Sequence, residues 1–281
     1  MFSDLQIKVA SEYAIMGINK HMGALKEFVH DFKELNDRPG AAVAVPVFNL
    51  SAAADFNEQT NNWCGGTNEV DGITVNLDKH FIKSIALNDV EAGSTDINFL
   101  RDGSRAIADV LGVAANKYVF GLVSEFDLSA SFDGSSKAVF ANLFKVADDA
   151  GLDPYECIVV LTPEYFAKAL SYLDSSAYGG SEAIRTGVIP GLYGFKSVIC
   201  SSFLPEGVKG AIIKQDAIGV VSRVNYPAVK GYAATWTATT QDGIALGYRV
   251  FEHLCYGKMY LGADILFGAK ILQASGAVKL V

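Results

Sequence analysis

Near the start of the chain, apolar residues return every three to four positions: Leu5, Val9, Tyr13 and Met16, then Leu25, Phe28 and Phe32. This spacing predicts an amphipathic helix over residues 3–35. Gly17 and Gly23 weaken its middle, and Asn36, Asp37, Pro39 and Gly40 end it. The period then changes. AAVAVPVFNL (41–50) reads as a β run, and Ile73, Val75 and Leu77 alternate with Thr74, Asn76 and Asp78. Between them lies a polar, turn-rich stretch, so residues 41–90 predict an extended hairpin with a long tip. A loop that long usually carries function or meets a partner.

Helical spacing returns at 94–126, where Ile97, Leu100, Ile107, Leu111, Ala114, Tyr118, Leu122 and Phe126 form one stripe. Ser94 and Thr95 suit its N-cap. Residues 127–133 read as a loop and 137–151 as a helix ended by Gly151. The unbroken run CIVVL (157–161) predicts a strand buried on both faces, and Pro163 opens the next helix. SEAIRTG (181–187) reads as a short helix or turn, and β runs follow at 194–205 and 211–224. The rest, to residue 281, reads as mostly β, with Asp242-Gly243 as a hairpin turn.

Half of the residues are hydrophobic and 19% are charged, which excludes a disordered chain. No run of about 18 consecutive apolar residues marks a bilayer span, and the first residues lack signal-peptide order. A chain this apolar without a span points toward burial against copies of itself. The net charge of −8 argues against a sequence-reading nucleic-acid binder, but not against a wall that encloses nucleic acid. Cys64, Cys157, Cys200 and Cys255 have neither metal-ligand nor redox spacing and fit a reducing compartment.

The familiar catalytic devices are missing from the sequence. There is no nucleophile elbow, no His-Glu-x-x-His and no phosphate-binding loop, and His21, His30, His80 and His253 stand in separate contexts. No cofactor or metal is expected. The residues singled out are contact candidates instead: Asp55, Glu58 and Trp63 at the hairpin tip, and Lys79 and Lys83 on its second arm. Trp63 is either tucked under its own loop or an anchor in a neighbouring copy. Gly191 and Gly194 bracket a Gly-Leu-Tyr-Gly turn that either fixes a helix–strand angle or is an ordinary connection.

The order of parts, and the segments VVLTPEYFAKAL (159–170), IRTG (184–187), LYGFKSVIC (192–200), SSFLP (201–205) and YLGADILFGAKILQASGAVKL (260–280), resemble the major capsid proteins of tailed phages, the Hong Kong 97-type fold. The resemblance by residues covers 157–220 and 259–281. It implies an α+β fold with an N-terminal arm (1–40), an extended loop (41–93), a spine helix opening a peripheral domain (94–133), an axial domain (134–230) and closing peripheral strands (231–281). It further implies a non-enzymatic subunit that self-assembles as pentamers and hexamers into an icosahedral virion shell around double-stranded DNA, in the host cytoplasm and without a membrane. Scaffold, portal and decoration proteins would be its further partners. An encapsulin-type nanocompartment shares that fold, and a mixed α/β enzyme or an adhesin stand as other classes. Some family members join subunits through a Lys–Asn bond with a Glu as base, and no such triplet is matched here. Because the arm begins at Met1, any scaffold is expected to be separate or absent.

Overall fold

The computed structural model describes residues 4–22, 25, 29–31, 42–48, 70–88, 97–134, 139–172, 188–190, 194–223, 235–241, 244–253 and 258–281. Segment 181–187 and the proposed caps Ser94 and Thr95 lie outside these residues.

Helix α1 spans Asp4–Met22, and a short strand, β1 (Val29–Asp31), follows where the sequence predicts continued helix. The buried face of α1 is Ile7, Ala10, Ser11, Ala14, Ile15, Ile18 and Met22, whereas Val9 and Met16 are exposed. The expected stripe is therefore on the wrong side. The small residues decide the matter: α1 lies along the long helix α2 (Ile97–Gly121), and a Cβ built at Gly17 would stand 2.9 Å from the Ala108 Cβ. Such close approach favours a face of Ala, Ser and Gly over the bulkier one.

Helix α2 is buried from two directions. Ile107, Ala108, Leu111, Ala115, Val119, Phe120 and Val123 are all essentially inaccessible, because α1 covers one side and strands the other. Residues 100–125 are long and apolar enough to cross a membrane by length and composition, yet 56% of that apolar window is buried inside this fold. The core around α2 supplies the reason for its hydrophobicity.

Two sheets carry the rest. The larger is built on β13 (Lys258–Ile271). One edge of β13 pairs antiparallel with β4 (Lys79–Asn88). Its other edge pairs first with β12 (Ile244–His253) and then with β10 (Ile218–Arg223). Strand β11 (Thr235–Gln241) extends the sheet beyond β12, with Gln241 opposite Ile244, while Asp242-Gly243 lie outside the described residues. Strand β1 pairs parallel with β10. The buried Ser222 hydroxyl accepts from the Ala245 amide at 3.0 Å and so links β10 to β12.

The smaller sheet has the order β5 (Leu128–Ala130), β14 (Ala277–Leu280), β9 (Gly210–Lys214), β6 (Cys157–Leu161), β8 (Ser197–Cys200), β7 (Val188–Pro190). Strand β5 occupies part of the expected loop 127–133; it is short and pairs only with β14, 150 residues away, so local sequence carries little trace of it. On one face Cys157, Val159 and Leu161 meet helices α3 (Val139–Asp149) and α4 (Pro163–Tyr172) through Phe140, Leu143, Phe166 and Ala169. On the other, Ile158 and Val160 join the core of α1 and α2. This two-sided burial explains the unbroken apolar run in β6. Pro163 is the first residue of α4, where its missing amide costs nothing, and Gly151 follows α3 at φ +73°.

The β run 211–224 divides between the sheets: β9 belongs to the smaller and β10 to the larger. The chain crosses at Gln215–Ala217, with Asp216 at φ +64°, a region that Asp tolerates better than most residues. It crosses back before β14, so the closing strands expected at 231–281 are likewise shared between the sheets. The two crossings touch, the Leu272 amide donating to the Ala217 carbonyl at 2.8 Å.

Candidate assembly surfaces

Strands β2 (Ala42–Phe48) and β3 (Val70–Asn76) pair antiparallel from Ala42↔Asn76 to Phe48↔Val70. Seven pairs at ~3.4 Å each give an arm of roughly 20 Å. Its base is anchored: Val43, Val45, Val75 and Leu77 pack with Val221, Leu266 and Leu272 on the outer face of the larger sheet. Gly268 is required there, because a Cβ would fall 2.1 Å from the Asn76 carbonyl oxygen. The Lys270 ammonium donates to the Thr74 carbonyl at 3.1 Å. Only Leu77 and Asp78 separate β3 from β4, so the arm and the edge strand form one ribbon.

Beyond the arm's base, the outer face of the larger sheet is open. Alternation along β4 sends Phe81 and Ile85 to the core and His80, Ile82 and Ser84 outward. Ile82 is 63% exposed. Register places Ile82 opposite Asp264 and Ser84 opposite Gly262, and Arg249 of β12 lies across Gly262. Together these residues line a cavity of about 230 Å³. At its floor Asp264 is buried, 3% exposed. Its Oδ2 accepts from Arg249 at 3.1 Å and meets the His80 Nε2 at 2.9 Å. A carboxylate with so little water survives on such partners. The pairing ties three strands, β4, β12 and β13, at one point.

Lys79 folds back on its own chain: its ammonium lies 3.3 Å from the Asp78 carboxylate and 5.1 Å from the centre of the Tyr118 ring. Tyr118 also donates to Asp78 at 3.3 Å. Burial first, and then the Asp78 charge, push its hydroxyl up to about 12. Lys83 is exposed on the same strand, opposite Ala263. Asp55, Glu58 and Trp63 lie outside the described residues.

Gly191 is also outside them, while Gly194 sits at φ +83° with its Cα against Tyr155; a Cβ would stand 3.2 Å from the Tyr155 ring and 3.6 Å from that of Phe144. Phe195 behind it is buried. Tyr155, 72% exposed, and Phe144 make a small aromatic patch beside this turn. The cluster of His80, Arg249 and Asp264 escaped sequence reasoning. Its one signal is the lone carboxylate inside the apolar run YLGADILFG, which only a buried partner would tolerate.

The chain matches solved structures along nearly its whole length. A structure from Mycobacterium phage Che8 matches with a TM-score of 0.61 and 14% identity, covering 90% of this chain and 88% of that one. The capsid structure of Cyanophage P-SCSP1u matches at 0.52 and 13%, covering 86% and 83%. The chain has the Hong Kong 97-type capsid fold. The virus-like particle from Pyrococcus furiosus matches with a TM-score of 0.54 and 13% identity, covering 99% of each chain. No protein-family model and no curated protein sequence matches the chain.

Proposed function

We propose that this chain is a major capsid protein of a tailed phage, a subunit that assembles with copies of itself into an icosahedral shell around double-stranded DNA. The observation that carries the reading is the match to phage structures over 86–90% of the chain, without a large unmatched region to house another activity. The surfaces agree with it. A two-stranded hairpin of roughly 20 Å is packed on the outer face of the larger sheet through Val43, Val45 and Val75, and residues 49–69 join its strands. Beside it the outer sheet face is open around an exposed Ile82. Such contacts are weak singly and effective when repeated around a shell.

In this reading residues 41–93 form the extended loop, whose Asp55, Glu58 and Trp63, with Lys79 and Lys83, meet neighbouring copies. Residues 1–40 act as the arm, 94–133 begin the peripheral domain, 134–230 serve as the axial domain and 231–281 supply closing strands. Gly191 and Gly194 set the turn beside the axial contacts. DNA touches the wall through its phosphates and without sequence preference. Scaffold, portal and decoration proteins are its partners in the virion, assembly takes place in the host cytoplasm, and the chain carries no catalytic step or cofactor.

The full-length coverage of the Pyrococcus particle favours a second reading, a nanocompartment shell. Electron microscopy and light scattering of the purified protein test the shell itself. Closed particles or rings are expected, and a persistent monomer would overturn both readings. Nuclease-protected DNA inside the particles separates phage capsid from nanocompartment, which would hold protein instead.

A further inference from the structure

Helix α1 has a second face, away from the small residues that rest on α2. It carries Glu12, Met16 and Lys20 at four-residue spacing, so the three stand in one row along the helix. All three are exposed, Met16 to 59%. Beside this row, Tyr13, Met16, Gly17 and Lys20 of α1 and Arg105 and Asp109 of α2 line an open groove of about 310 Å³. Gly17 contributes no side chain to fill it. The Arg105 guanidinium lies 5.6 Å from the centre of the Tyr13 ring, a contact that holds both side chains at the groove.

The charges along the row are complementary to the same row reversed. Glu12 and Lys20 stand equally far from Met16, about 6 Å along the axis on either side. In a second copy laid antiparallel, Met16 on Met16, each Glu12 faces a Lys20; laid parallel, like charges would meet. We propose that this face of α1 pairs with the same face of a second copy about a two-fold axis at Met16, each methionine leaning into the other copy's groove over Gly17. Rows of four-residue spacing are the ones that interdigitate in the commonest helix packing. An unbranched thioether adapts to such a groove and sits well against an aromatic ring such as Tyr13. The contact is isologous, the same patch on both partners. Neighbours within a ring of five or six are related by the ring's own rotation and not by a two-fold, so this contact joins subunits of different rings. The inference rests on the shell reading and adds to it the residues of a junction between rings.

The test is a single substitution, Met16→Cys, in protein whose Cys64 and Cys255 are replaced by Ser; Cys157 is buried. A residue that meets its own copy across a two-fold crosslinks to itself. Mild oxidation is therefore expected to give one covalent dimer band on a denaturing gel and no higher ladder, and the same background with Met16 intact gives none. Particles that form normally without the dimer overturn the contact while the shell reading stands. A dimer in protein that forms no particles keeps the contact and removes the shell, and the absence of both overturns both. Charge reversal is an independent arm, and the exposure of these side chains lets each variant fold. Glu12→Lys and Lys20→Glu, singly, each set like charges opposite one another twice. Each is expected to lower the yield of the Met16→Cys dimer about fivefold, two weak surface pairs having changed sign. The two reversals together restore both pairs with their signs exchanged and should return the yield to its starting level. A double reversal that loses as much as the singles, or singles without effect, overturns the antiparallel pairing.

Discussion

The two sheets of this molecule use the same kinds of residues in different ways. In the smaller sheet, β6 is buried on both faces and every one of its five side chains is inaccessible. In the larger sheet, β13 is longer and more central, yet only its inner face is fully covered: Leu261, Ala263, Ile265 and Phe267 enter the core, while the outer face passes from the hairpin's base to an open cavity. The smaller sheet spends its sequence on stability. The larger one leaves part of a face exposed, and a buried ion pair ties its strands there.

That contrast can be broken at defined points. Leu161→Ala, in the strand enclosed on both sides, is expected to cost about 3 kcal/mol through lost burial and a cavity, measured by urea unfolding of the unassembled subunit. A value under ~1 kcal/mol would deny that the smaller sheet is the stable part. Gly17→Val forces a branched side chain between α1 and α2, and overpacking of about 2 kcal/mol is expected. Thermal unfolding would show it, and an unchanged midpoint would mean that α1 can shift without loss. Gly194→Val adds a β-branched residue at φ +83°, with strain on the order of 1–3 kcal/mol. If soluble yield and stability stay at the parent level, the turn does not need glycine. At the small end, Ile82→Ser on the open face should change unfolding by less than about 0.5 kcal/mol while impairing assembly. A large stability loss there would mean that the outer face is not a free surface.

Sequence legibility followed locality. Strand β6, the Pro163 start of α4 and the Gly151 stop were readable because each rests on neighbours a few residues away. The face of α1 was misread because both sides of that helix carry apolar residues, and the small ones matter only once α2 is alongside. Strand β5 and the division of β9 from β10 depend on partners far along the chain. The cavity needed three strands in register before His80, Arg249 and Asp264 became one cluster. Of the residues expected to meet neighbours, Lys79 turns out to be engaged with Asp78 and Tyr118, and Lys83 is exposed.

The position of β13 also orders events in time. The central strand of the larger sheet begins at Lys258, and β14, which lies between β5 and β9 in the smaller sheet, begins at Ala277. During synthesis neither sheet can close until these residues leave the ribosome, and β4 waits some 170 residues for its partner. Long-range pairing of this kind is slow to form. An unfinished chain therefore lacks the strand that holds the edge ribbon and its arm. Synthesis itself withholds both sheets, and the ribbon they anchor, until β13 and β14 have emerged.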